Sequence, residues 1–124
     1  MQLTLATRSS HFIRSYDATG IQIGEQHLTH SVLVSAQQII NWPVTDITQL
    51  TREHLQPIFE LKPEIVILAT GLQQRFASPQ IRAAFMAREI GLECMELGAA
   101  CRTFNVLLSE ERPVVLALQM PGAA

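Results

Sequence analysis

The chain has 124 residues, 48% of them hydrophobic, and a formal net charge of -2 at pH 7, which predicts a single domain spanning 1–124 with a real core. The negative balance, with arginines scattered from residue 8 to residue 112 and no basic stripe, argues against an electrostatically driven nucleic-acid binder. The opening MQLTLATRSSHF lacks both the apolar centre of a secretion signal and the arginine-rich character of a transit peptide, and no apolar stretch approaches a membrane span, so a cytoplasmic chain is expected.

HFIRSYDATGIQIG, residues 11–24, reads as a β-hairpin. Phe12, Arg14 and Tyr16 fall on one face of its first strand, Ile13 and Ser15 on the other, and DATG suits a type I turn. Ile21 and Ile23 share a parity that Leu28, Val32 and Val34 do not, so a turn or bulge is expected at Gly24-Glu25. SVLVSA at 31–36 continues the meander as a strand. IINWPVTD at 39–46 stays extended, because Trp42 precedes a proline.

From Thr51 the pattern turns helical. Thr51 caps a first helix with Leu50 and Leu55 as a hydrophobic staple and Leu55, Ile58 and Phe59 as its apolar stripe. Pro57 keeps that helix short or bent. EIVILAT at 64–70 reads as a strand buried on both faces. Ser78-Pro79 opens a second helix that Gly91 ends. LECMEL at 92–97 is a further strand, Gly98 opens a third helix over roughly 99–111, and PVVLALQM from Pro113 is the last strand. The tail PGAA is expected to fray. A β-meander followed by β-α-β-α-β implies an α/β fold whose last three strands run parallel in one sheet. The N-terminal hairpins must extend that sheet or cover one end of it.

Ligands in open α/β sheets favour the crevice beyond the carboxyl ends of the strands. Two loops should meet there, Thr70-Gly71-Leu72-Gln73-Gln74-Arg75 and Gly98-Ala99-Ala100-Cys101-Arg102. The helix starts behind them would offer N–H groups to an anion. Candidate ligand-binding residues are Thr70, Gly71, Arg75, Gly98, Cys101, Arg102, Thr103 and Asn105. Arg102, Asn105 and Ser109 form a polar stripe on the third helix, opposite Ala100, Phe104, Leu107 and Leu108. Arg102 either ties down loop carbonyls, pairs with a nearby carboxylate, or waits for an anion. Neither GxxxxGK[ST] nor GxGxxG is present.

His27 and His30 point to opposite faces of a strand, and Cys94 and Cys101 lack further ligands, so no metal or cofactor is expected. Both cysteines are expected reduced and buried, although a helix start beside Arg102 could lower the Cys101 pKa. No catalytic constellation can be assembled. The second helix carries two apolar faces, Ala83, Met86, Ala87 and Ile90 on one and Ile81 and Phe85 on another. Either the meander packs over it or another subunit does, making the chain a possible homo-oligomer.

ATGLQQRFASP and LECMELGAACRTFNVLLSEERPVVLAL resemble the small domain family of the mitochondrial complex I assembly factor three and the adipogenesis-associated domain proteins. That family includes bacterial and archaeal proteins of unknown function. The matching positions are Gly71, Phe76, Gly98, Ala99, Ala100, Cys101, Arg102, Thr103, Phe104 and Asn105. SVLVS and Trp42-Pro43 fit as well. Ala69 stands where the family commonly has glycine, and Leu97 where it commonly has threonine. The resemblance implies a three-layer α/β domain with a mixed central sheet and no established catalysis. It points to a non-enzymatic accessory protein with a protein partner, of the assembly-factor kind. The alternative is a small-molecule or anion binding protein, or a remote enzyme, using the crevice.

Overall fold

The computed structural model of the chain describes residues 11–120; the PGAA tail and Arg8 lie outside them. Three short antiparallel strands come first, β1 (Ile13–Asp17), β2 (Gly20–Ile23) and β3 (Gln26–Leu28). They form a sheet of their own. The Asp17 carboxylate ties the first turn by accepting from the Thr19 hydroxyl and N–H and from Gly20 N–H. Those donors, the hydroxyl foremost, hold its carboxyl below the ordinary range. The second turn is Gly24-Glu25, with Gly24 at φ +55°. That is the parity change read from the sequence. A register shift between Ile13 and Ser15 breaks the expected alternation in β1.

The next strands are β4 (Val32–Val34) and β5 (Ile39–Asn41). Helix α1 (Arg52–Glu60) follows, then β6 (Ile65–Ala69), α2 (Pro79–Ala87), β7 (Gly91–Met95), α3 (Leu97–Ser109) and β8 (Val114–Leu118). Their sheet has the order β5-β4-β8-β6-β7. β6 pairs in parallel with both β7 and β8, as the β-α-β-α-β pattern predicts, while the β4–β5 hairpin adds antiparallel to β8. Of the two fates open to the N-terminal hairpins, each takes one. β4–β5 extends the main sheet, and β1–β3 packs elsewhere.

The five-stranded sheet is buried on both faces. Val66 and Leu68 of β6 meet Leu55, Ile58, Ile81 and Phe85 of α1 and α2. Ile67 and Ala69 meet Ala100, Cys101, Phe104 and Leu108 of α3, with Ile13, Ile21 and Ile23 of the small sheet completing that cluster. The layers are therefore α1 and α2, the mixed sheet, and α3 with the three-stranded sheet against it.

The helix ends differ from the sequence expectation. α2 stops at Ala87, and Gly91 begins β7 rather than closing the helix. The reversal is made by Glu89 at φ +59°, with Ile90 N–H on Phe85 C=O and Glu89 N–H on Met86 C=O. Lys62 and Glu111 end α1 and α3 in the same left-handed conformation. α3 starts at Leu97 and ends at Ser109, two residues earlier at each end than expected. Ser31, which the sequence did not single out, is a buried junction. Its hydroxyl donates to Val44 C=O and accepts from Met120 N–H.

Candidate functional site

The crevice loops follow β6 and β7, and the backbone joins them directly. Leu97 N–H donates to Gly71 C=O at 2.8 Å, and Thr70 N–H donates to Met95 C=O. Gly71 sits at φ +90°, a conformation that disfavours a Cβ. Thr70 organises the first loop from a buried position. Its hydroxyl donates to Gln73 C=O at 2.7 Å and accepts from Arg75 N–H at 3.0 Å. The Gln74 side chain reaches Cys94 C=O, fastening the loop to β7. Arg75 is exposed and close enough to Asp46 to help lower that carboxyl's pKa, behind the larger effect of the Thr48 donors.

The start of α3 has no donors left for an anion. Glu96 is its N-cap, accepting from Gly98 N–H at 2.6 Å and from Ala99 N–H at 3.1 Å. Leu97 N–H is taken by Gly71, and Ala100 N–H closes the first helical bond on Glu96 C=O. A carboxylate from the chain itself fills the place the sequence reading offered to a ligand. The expectation of free N–H groups is corrected for α3. Glutamate is not among the preferred capping residues, so no cap signal marked it in the sequence.

Arg102 is exposed and donates from Nη1 to the Tyr16 hydroxyl, not to loop carbonyls. Gly98 makes that contact possible. A Cβ there would lie 3.0 Å from the Tyr16 hydroxyl and 3.1 Å from Arg102 Nη1. One turn further along α3, Asn105 clasps β1 through both ends of its amide. Oδ1 accepts from Ile13 N–H at 2.8 Å, and Nδ2 donates to Ile13 C=O at 3.0 Å. Thr103 is half-buried on the same helix. Ser109 bonds its own helix at Val106 C=O. The polar stripe is thus a seam holding the three-stranded sheet to α3. Tyr16, the missing half of that seam, lies 86 residues away in sequence and carried no signal.

Cys101 is buried in the core. Burial, and then Glu96, push its thiol up to about 12, against a smaller opposite pull from Arg102. This corrects the idea of an activated thiolate. Burial also raises Cys94. In the unfolded chain a thiol ionises near its ordinary 9.0, so the unfolded state releases its proton first. Cys101 therefore stabilises the fold fully below pH 9 and loses that contribution as pH rises from 9 towards 12. At pH 8 its thiolate fraction is about a thousandfold below that of a free cysteine. Iodoacetamide is expected to modify native Cys101 only at the rate of unfolding, read by mass spectrometry of the alkylated peptide. Labelling at the rate of a free thiol would contradict this placement.

His27 and His30 do not converge. His27 Nδ1 lies 3.3 Å from Gln22 Oε1, and His30 Nε2 lies 2.6 Å from Asn41 Oδ1. Two large apolar side chains, in contrast, leave the surface at the crevice loop, where Leu72 is 63% and Phe76 69% exposed.

These features define an α/β scaffold with a small sheet clasped to its third helix and two crevice loops bonded to each other. Residues 13–119 match the family described as protein of unknown function (DUF498/DUF598), and the chain belongs to that family. It is similar to NADH dehydrogenase (ubiquinone) 1 alpha subcomplex assembly factor 3 of Mus musculus, 30% identical over 89% of this chain and 60% of that protein. The chain spans about three fifths of the length of that relative. A 13 kDa major membrane protein of Francisella tularensis is 29% identical over 76% of each chain. The NMR structure of a Xanthomonas campestris protein superposes with a TM-score of 0.83 at 37% identity, covering 90% of this chain and 86% of that one. The named relatives are an assembly factor and a membrane protein. Among the described residues, no helix is long and apolar enough to cross a membrane.

Proposed function

We propose that this protein is a non-catalytic accessory protein of the cytoplasm that binds a protein partner during assembly of a larger complex. The observation that carries the reading is the loop after β6. It is held from below by Thr70 and Gln74, yet presents Leu72 and Phe76 to solvent. A loop fastened by its own hydrogen bonds loses little entropy on binding, and exposed aromatic side chains are the usual anchors of protein contacts. The similarity to an assembly factor agrees with this use.

The alternative is an anion or small-molecule site in the crevice, where Arg75 stays exposed. Arg102 and Asn105 are engaged with β1, and Glu96 occupies the helix start. Affinity capture from the native host with wild type and with a Leu72→Asp/Phe76→Asp variant tests the proposal. Subunits of a multi-protein complex are expected with the wild type and at least tenfold depleted with the variant. Equal recovery by both, or a melting temperature raised by phosphate or nucleotides in wild type but not in Arg102→Ala, would favour the alternative.

A further inference from the structure

The sequence gives α2 two apolar faces, and the fold buries only one. Ile81 and Phe85 enter the core, whereas Ala83, Met86 and Ala87 face solvent, Met86 at 76% exposure. The three-stranded sheet cannot cover them, because it packs on α3 across the main sheet. Between α1 and α2 runs a trough of about 420 Å³ with Leu55, Phe59, Ala83, Ala84 and Ala87 along it. A second hollow of about 420 Å³ flanks α2 on the β7 side, beside Met86, Ile90 and Leu92.

The charge around this face is not that of the chain. The protein carries a net charge of -2, but Arg52, Arg82 and Arg88 border the two hollows against Glu89 alone. On α1 the stripe Arg52-Gln56-Phe59 faces the trough, while the carboxylates Glu53 and Glu60 do not border it. Arg52 and Arg82 have no carboxylate partner among the described residues. The Arg88 guanidinium carbon lies over the Phe59 ring, 4.1 Å from its centroid, a cation–π contact that holds this positive charge beside the trough. Arg52 stands in the first turn of α1 and Arg88 just beyond the last turn of α2. Residues 52 to 59 span about 10 Å at 1.5 Å per residue, or two helical turns.

We infer that this trough receives an amphipathic helix of a partner protein, with an apolar stripe against the alanines and carboxylates two turns apart (i and i+7) meeting Arg52 and Arg88. Alanine walls let a helix axis approach closely, and the arginines select its charge. A second copy of this chain is disfavoured as occupant, because a two-fold contact would set the arginine-rich face against itself. The inference rests on the reading that the protein binds a partner. It names a surface other than the Phe76 loop and the chemistry that surface selects.

The test is a displayed library of amphipathic helices with a fixed leucine stripe and Glu, Gln or Lys randomised at the flanking positions, selected against the full chain. Enriched helices are expected to carry Glu at i and i+7 and to bind Arg52→Glu and Arg52→Glu/Arg88→Glu at least tenfold more weakly by fluorescence anisotropy. The same helices should bind Leu72→Asp/Phe76→Asp unchanged, which separates this surface from the loop whose variant is read by host capture. Circular dichroism of the charge variants, expected to match wild type, keeps the comparison on binding. Enrichment of neutral or basic helices, no enrichment over the Arg52→Glu/Arg88→Glu counter-target, or a sedimenting dimer abolished by Ala83→Glu would each overturn the inference.

Discussion

Trp42→Ala is expected to destabilise the protein by about 3–5 kcal/mol, the range for deleting a fully buried large aromatic side chain. Trp42 is 1% exposed and packs in the cluster beneath α1 with Val44, Ile47, Leu55 and Ile58. Its indole N–H donates to His54 C=O at 2.9 Å, and its backbone N–H to Ser31 C=O at 3.0 Å. The side chain therefore joins the segment after β5 to the first turn of α1, where His54 also takes part in the capping box with Thr51. The remaining structure cannot collapse into so large a space without moving α1. Trp42→Phe keeps most of the volume but drops the indole donor, and should cost less. Urea denaturation followed by far-ultraviolet circular dichroism measures both. A loss below about 1.5 kcal/mol for the alanine variant would mean that Trp42 is not the packing centre of that face.

Asn105→Ala is expected to cost about 2–3 kcal/mol, because it strands both the N–H and the C=O of Ile13 in a half-buried seam. Asn105→Asp should fall between, since a carboxylate can accept from Ile13 N–H but cannot donate to Ile13 C=O. Arg102→Ala is the contrast. Its partner Tyr16 is partly exposed and its own guanidinium is in water, so the loss should stay within about 1 kcal/mol. The measurement that distinguishes a seam from a diffuse contribution is amide hydrogen exchange. In Asn105→Ala the protection of Ile21 and Ile23 in the three-stranded sheet should fall before that of Val66 and Leu68 in β6. Uniform loss of protection would show that the small sheet and the main sheet open as one unit.

The clasp also accounts for residues that the resemblance singled out. Gly98 leaves room for Tyr16, Arg102 reaches it, and Asn105 grips β1. Cys101 and Phe104 fill the core behind them. Of the residues that looked like a ligand site by type and spacing, Arg102 and Asn105 are engaged with β1, and Gly98 leaves room for that contact. Exposed apolar side chains also open to the surface, Leu72 and Phe76 on the loop and Met86 on α2.

What the sequence determined by itself was everything governed by local periodicity and local sterics. The unbroken apolar run Ile65–Ala69 has to be buried on both faces, and it lies between two layers. Ser78-Pro79 starts a helix because a hydroxyl can cap and proline lacks only an N–H that would be unpaired there. The parity change after Ile23 demands a turn, and Gly24 supplies it. Tertiary structure alone decided the rest. Leucine 97 and Gly98 enter α3 because Glu96 and Gly71 satisfy its first N–H groups, partners no cap rule identifies. Cys101 is a core thiol rather than a reactive one because burial outweighs the nearby arginine. Which apolar face of α2 meets the sheet, and which hairpin joins it, depends on contacts between residues far apart in the chain. Periodicity records that a side chain needs covering; only the packed chain records what covers it.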